Sequence, residues 1–144
     1  RPLVVIAFIL SLVSAAPLAA QVHFCDGIIA GQDQGGSGSV DVGALYTLAW
    51  CQPAADDGVT FKLYVNGVAG PTLVPVSGST SASGFREYTI SNRTEKTAGT
   101  FTLEISAVRP SDGRESAKSA PFTLTSQLPA PSRPQKVQVR SGVK

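Results

Sequence analysis
The sequence predicts an all-β domain of short antiparallel strands, packed as a sandwich or barrel. Three observations carry that expectation. Apolar residues recur at every second position in several short runs, the spacing that sets them on one face of a pleated strand. Turn-forming residues separate those runs, with 14 Gly and 10 Pro in 144 residues. No helical period appears beyond the apolar N-terminal stretch. The rest is organised around Leu45–Tyr64, where Tyr46, Leu48 and Trp50 share one face of a first run. Phe61, Leu63 and Val65 share a face of a second, after Pro53 and the Asp56-Asp57-Gly58 turn signal. Trp50 is the only tryptophan. Burying an indole removes about 150–250 Å² from water, worth about 4–6 kcal/mol gross. The ring is therefore expected to be sealed between two layers of strands, with Phe101–Ala107 closing over it.

The chain opens on Arg1, then L-V-V-I-A-F-I-L-S-L-V (Leu3–Val13) and S-A-A-P-L-A-A before Gln21. A basic start, an apolar stretch and small residues form a secretory signal pattern. Residues 1–20 are expected to be a signal peptide, cut after Ala20. Pro2–Ala20 carries no charge, and about 19 residues just span a bilayer, so an uncleaved membrane anchor is the alternative. Gln21 stands where a lipoprotein would need Cys. Either way the remainder is expected to be exported, whether secreted, periplasmic or at the cell surface. Residues 21–126 are expected to form the domain.

Cys25 and Cys51 are the only cysteines. In an oxidising compartment an even pair reads as a disulfide, here tying the N-terminal segment to the Trp50 strand. The alternative, His23 and Cys25 as metal ligands, lacks a second pair. Ile28 and Ile29 suggest a short first strand, and the Gly/Gln/Ser stretch Gln32–Ser39 a loop. Asn66-Gly67 is a hairpin signal. Pro71 and Pro75 put Thr72–Val76 at a sheet edge or in a loop, and Ser77–Gly84 reads as loop. Phe85–Ile90 alternates, with Tyr88 and Ile90 on one face. Thr100–Val108 is the cleanest strand, with Phe101, Leu103, Ile105 and Ala107 facing one way and Thr102, Glu104 and Ser106 the other. Pro110 ends it, Ser111–Arg114 turns, and Pro121–Thr125 supplies the last strand with Phe122 and Leu124 inward.

These residues resemble a fibronectin type III domain, from Val40 to Thr125. The family's second strand has Leu-x-Trp followed by Pro, here Leu48, Trp50 and Pro53. Its third has an aromatic-x-aliphatic pattern, here Phe61 and Leu63 ahead of Tyr64–Gly67. Its sixth, Tyr-x-aliphatic-x-Val-x-Ala-Val, is matched by Phe101, Leu103, Ile105, Ala107 and Val108. Gly113, Ser116 and Phe122–Thr125 match its Gly-x-x-Ser pattern and final strand. The resemblance implies a seven-stranded antiparallel β-sandwich of fibronectin type III or immunoglobulin-like type. Phe101 departs from the family's corner tyrosine, losing a hydroxyl-to-backbone bond worth about 0.5–1.5 kcal/mol. The leucine before that corner has no counterpart among Asn92–Gly99, and the cysteine pair and the Gly/Ser lead-in are unusual for the family.

The net charge of +2 divides unevenly. Between Gln21 and Thr125 acids outnumber Lys plus Arg, while Arg133, Lys136, Arg140 and Lys144 sit in a tail without acids. The folded part has no basic surplus for phosphates, which argues against nucleic-acid binding. No catalytic constellation emerges: His23 is the only histidine, and G-G-S-G-S (Gly35–Ser39) lacks the last Gly of a nucleophile elbow. Nothing resembles a phosphate loop, paired-Cys metal site or dinucleotide fingerprint, so neither enzymatic activity nor a cofactor is expected. Asp56 and Asp57 offer oxygens to calcium, a solvated turn being the simpler reading. Asp112, Gly113 and Arg114 form a candidate binding loop. Their order reverses the Arg-Gly-Asp of integrin-binding family members, and a tight turn explains them without a ligand. Asn92-Arg93-Thr94 is a glycosylation sequon by pattern, of consequence where the exporting cell glycosylates.

From Leu128 the chain reads L-P-A-P-S-R-P-Q-K-V-Q-V-R-S-G-V-K, and residues 127–144 are expected to be a Pro-rich basic linker or disordered tail. Val137 and Val139 also look like the entry to another such module. The expected function is an exported, non-catalytic interaction module, its loops Gln52–Gly58, Ser77–Gly84 and Pro110–Lys118 meeting a protein or glycan partner. A passive spacer at the N-terminus of a larger exported enzyme or adhesin is the alternative. Membrane contact is expected only through an uncleaved N-terminal segment.

Overall fold
The computed structural model describes residues 23–28, 35–133, 135 and 138. The expected signal segment, Ile29 and most of the basic tail lie outside the described residues. Eight strands follow one another: β1 Gly36–Asp41, β2 Tyr46–Pro53, β3 Thr60–Val65, β4 Val68–Leu73, β5 Val76–Thr80, β6 Phe85–Arg93, β7 Gly99–Val108 and β8 Phe122–Gln127. They form a five-stranded sheet, ordered β1-β8-β7-β3-β4, and a three-stranded sheet, ordered β2-β6-β5. A 3-10 turn, Ala54–Asp56, links β2 to β3, and the described residues contain no α-helix. The fold is all-β and sandwich-like. Two features differ from expectation: there are eight strands rather than seven, and β1 runs parallel to β8 while every other pair is antiparallel.

The additional strand lies where loop was expected. Gly36–Asp41 pairs with β8 in the register Gly36↔Phe122 and Gly38↔Leu124. A β-carbon on Gly36 would come within 3.0 Å of the Phe122 ring, and one on Gly38 within 3.1 Å. The Gly/Ser run is a strand because the Phe122 ring fills the space that its own side chains would need. Ile28, by contrast, lies outside any strand. Ser77–Thr80 is also strand rather than loop, as part of β5, which pairs with β6. All five β5 residues are exposed, so this edge strand needs no apolar alternation and shows none. Pro71 falls on β4, an edge strand as expected, where no outer neighbour needs its missing N–H. Asn66 and Gly67 both have positive φ, at 50° and 79°, the geometry that a two-residue hairpin demands.

The core draws Phe61, Leu63, Leu73, Leu103, Ala107 and Leu124 from the five-stranded sheet and Tyr88 from the other. Its centre is Phe61, 1% exposed, rather than Trp50. Trp50 is half-buried and packs from the side, its ring edge-on to Phe61 at 5.1 Å and stacked on Tyr88 at 6.0 Å. The difference follows from topology. Phe61 lies on β3, flanked by β4 and β7, whereas Trp50 lies on β2, an edge strand. The Trp50 Nε1 is shielded from solvent and has no hydrogen-bond partner among the described residues.

Cys25 and Cys51 form the expected disulfide, with Cα atoms 5.8 Å apart and a sequence separation of 26. His23 fastens the same segment from the other side. Its Nδ1 accepts from the Cys25 N–H at 3.0 Å, leaving Nε2 to donate toward the Ser79 carbonyl, also 3.0 Å away. Closing a loop of this length stabilises by about 3.5 kcal/mol in the chain-entropy model. The C25S/C51S double variant should unfold at correspondingly lower denaturant concentration, and the unreduced parent should show negligible free-thiol labelling.

Candidate functional site
Three turns drawn from both sheets meet at one end of the molecule. The β2–β3 connection passes through Ala54–Asp56, the β5–β6 turn is Ser81–Gly84, and the β7–β8 connection starts at Arg109. The first two are joined by the Ala54 N–H donating to the Gly84 carbonyl at 2.9 Å, and by an Arg86–Asp57 ion pair at 3.1 Å. Between the β2–β3 and β7–β8 connections lies a hollow of about 740 Å³. Its lining is mainly polar, with Gln52, Asp56, Arg109, Arg114 and Glu115 around a smaller apolar part that includes Val59 and Ala107.

Asp56 and Asp57 do not act as a pair. Asp56 accepts from Gln52 Nε2 at 3.0 Å, whereas Asp57 turns to Arg86. Cys25, bound in its disulfide, has no thiolate to offer a metal beside His23. The Asp112-Gly113-Arg114 turn closes on itself. Asp112 accepts from the Arg114 N–H and from the Arg109 guanidinium, both at 3.1 Å. Gly113 adopts φ +70°, and its N–H donates to the Arg109 carbonyl at 2.9 Å. Asp112 and Gly113 thus build the turn, while the Arg114 side chain is exposed with no ion-pair partner among the described residues.

The base of this connection is held by two serines. Ser116 receives the Ala107 N–H on its hydroxyl at 3.0 Å and returns its own N–H to the Ala107 carbonyl at 2.8 Å. Ser119 does the same for Ile105, at 3.0 and 2.8 Å. Regular pairing of β7 with β8 stops at Leu103, so these hydroxyls take over the acceptor role of a neighbouring strand. Only Ser116 carried a sequence signal, through the Gly-x-x-Ser resemblance, and nothing in the pattern marked Ser119.

Glu115 is the anchor that sequence reasoning missed. Its carboxylate accepts from Ser106 Oγ at 2.6 Å, from the Tyr64 hydroxyl and from Lys62 Nζ at 3.0 Å. Lys118 lies 4.3 Å from the Tyr64 ring centre and 3.5 Å from Glu104, a cation–π contact that holds the next part of the connection on the sheet. The alternation of β3 and β7 indicated that Lys62, Tyr64, Glu104 and Ser106 face outward. It carried no sign that Glu115, from a loop, would lie over them.

A second, more apolar recess of about 860 Å³ runs between the sheets beside Leu48 and Trp50. Ile28 and Gly35, which flank the undescribed stretch 29–34, both line it, so no site is assigned there. Comparison with models of known protein families finds no match to this chain. Comparison with curated proteins finds none either.

The Glu115 contacts predict a pH dependence. Hydrogen bonds from Ser106, Tyr64 and Lys62 lower its pKa from the usual 4.5 to about 2. A carboxyl depressed on folding stabilises fully above its unfolded value, and that contribution is lost as pH falls through the folded one. The urea midpoint should therefore fall between about pH 4.5 and about pH 2. In E115Q this component should be absent, with the midpoint already lowered at neutral pH. A second expectation concerns Ser116. S116A leaves the buried Ala107 N–H without its acceptor and should cost about 1–3 kcal/mol in chemical denaturation.

Proposed function
We propose that this chain is an exported, non-catalytic module of the immunoglobulin-like kind, in its fibronectin type III variant. In this reading it binds a protein or glycan partner through the convergent loops. The observation that carries the reading is the hollow between the β2–β3 and β7–β8 connections, with the uncommitted Arg114 guanidinium on its wall. Arginine is a residue that interfaces favour, and here it stands exposed at the edge of a concave, mainly polar surface.

The strand order supports the family reading. In immunoglobulin-type sandwiches, B, E and D share one sheet, C, F and G the other, and C′ can extend the latter. Here β2, β6 and β5 correspond to B, E and D, and β3, β4, β7 and β8 to C, C′, F and G. The parallel pairing of the first strand with the last is a departure from the wholly antiparallel arrangement that the resemblance implies. The disulfide supports an oxidising, extracellular setting.

The test is capture of partners by the immobilised exported chain, in parallel with R114A and with a charge reversal at Lys96, outside the hollow lining. A saturable protein or glycan ligand should be retained by the parent and by the Lys96 variant, and weakened about tenfold or more by R114A. If nothing saturable binds, or if R114A binds equally well, the loop reading fails and a passive spacer remains.

A further inference from the structure
We propose that Asn92 is the acceptor of an N-linked glycan. The inference rests on export through a glycosylating compartment and not on the loop hollow binding anything. Asn92-Arg93-Thr94 satisfies the Asn-x-Ser/Thr pattern, and the fold presents these residues as an accessible acceptor. Leu48 pairs with Ile90 and Tyr46 with Arg93, so Ser91 and Asn92 together stand opposite Thr47 alone. That is a β-bulge, a device that re-aims a side chain, and Asn92 sits in it at φ +59°, a region asparagine tolerates better than most residues.

Asn92 and Thr94 are both exposed, and neither side chain has a hydrogen-bond partner among the described residues. Arg93 between them is half-buried, its Nε reaching the Tyr46 hydroxyl at 3.4 Å, while that hydroxyl donates to Glu95 at 2.6 Å. The middle residue of the sequon is thus fastened to the domain, while Asn92, which would react, and Thr94, which completes the pattern, stay free.

The location fits a glycan for two further reasons. β6 starts at Phe85, next to the turn that meets Ala54, and ends at Arg93. Asn92 therefore lies at the end of the sandwich away from the loop hollow and would leave it open. The Tyr46↔Arg93 register also brings Leu45, 68% exposed, toward Thr94. A sugar on Asn92 would shield this leucine from solvent and from other chains.

In the transfer, the Asn92 side-chain nitrogen bonds to the anomeric carbon of a lipid-pyrophosphate-linked oligosaccharide. The bond from that carbon to the pyrophosphate oxygen breaks, its electron pair leaves with the lipid pyrophosphate, and the amide releases one proton.

The full chain, expressed behind a secretion leader in a glycosylating eukaryotic cell, should emerge with a mass above that of its polypeptide. Peptide N-glycosidase should remove the excess and leave Asp at position 92. N92Q and T94A should each lose the whole modified fraction, while T94S, which preserves the sequon, should keep it. Translation into glycosylating microsomes reads the same peptide if secretion of a variant is poor. A parent chain that is translocated and disulfide-bonded but carries only unmodified Asn92 overturns the inference, and so does a glycan that persists in N92Q.

Discussion

The contact on which the rest depends is the aromatic cluster of Phe61, Tyr88 and Trp50. It joins the two sheets: Phe61 meets Tyr88 at 4.8 Å and Trp50 at 5.1 Å, with the latter two stacked. Each such pair contributes about 0.5–1.5 kcal/mol beyond the area it buries. The position matters more than the sum. Trp50 lies shortly before the β2–β3 connection and Phe61 just after it, so both ends of that connection are fixed by the same cluster. Tyr88 sits a few residues into β6 from the turn that hydrogen-bonds Ala54. A rigid cluster beneath them is what allows short turns from two separate sheets to share one surface.

The β7–β8 connection is held by a different means. Its first part closes on itself through Asp112 and Gly113, and its second lies against β7 through Ser116 and Ser119. Between these parts Glu115 reaches onto the outer face of the five-stranded sheet, to Ser106, Tyr64 and Lys62. The carboxylate thereby fixes where the connection leaves the sheet, and with it the position of the adjacent Arg114. Hydrogen bonds to an ionised acceptor are stronger than neutral ones, so a single carboxylate suffices where β8 no longer pairs.

Much of the fold was legible because the central strands are half-buried and alternate. Phe61 and Leu63 on β3, and Leu103 and Ala107 on β7, face inward as their spacing requires. The strands that escaped are at the margins. β1 has no alternation because Phe122 of its neighbour supplies the bulk, and β5 has none because no face of it is buried. A period-two search detects burial, not pairing, so both were invisible to it. Side-chain size misled in the same way about Trp50. Volume suggested the centre of the core, whereas the edge position of β2 assigned that place to Phe61. At the loop end, the Asp-Gly-Arg triplet was legible as a turn. The anchoring by Glu115 was not, since it depends on contacts between residues far apart in the chain.

The charged groups at the loop end bear on what the surface can do. A general base works best when its pKa lies near the operating pH. Glu115 is held at about 2 by three donors, and the carboxylates of Asp57 and Asp112 are each matched with an arginine. These carboxylates are engaged within the fold and shape the turns that carry them. Arg114 is different: its exposed guanidinium has no ion-pair partner among the described residues. The loop end thus presents an exposed guanidinium beside carboxylates that are already paired within the fold, and its surface charge is set by that one side chain more than by the acids around it.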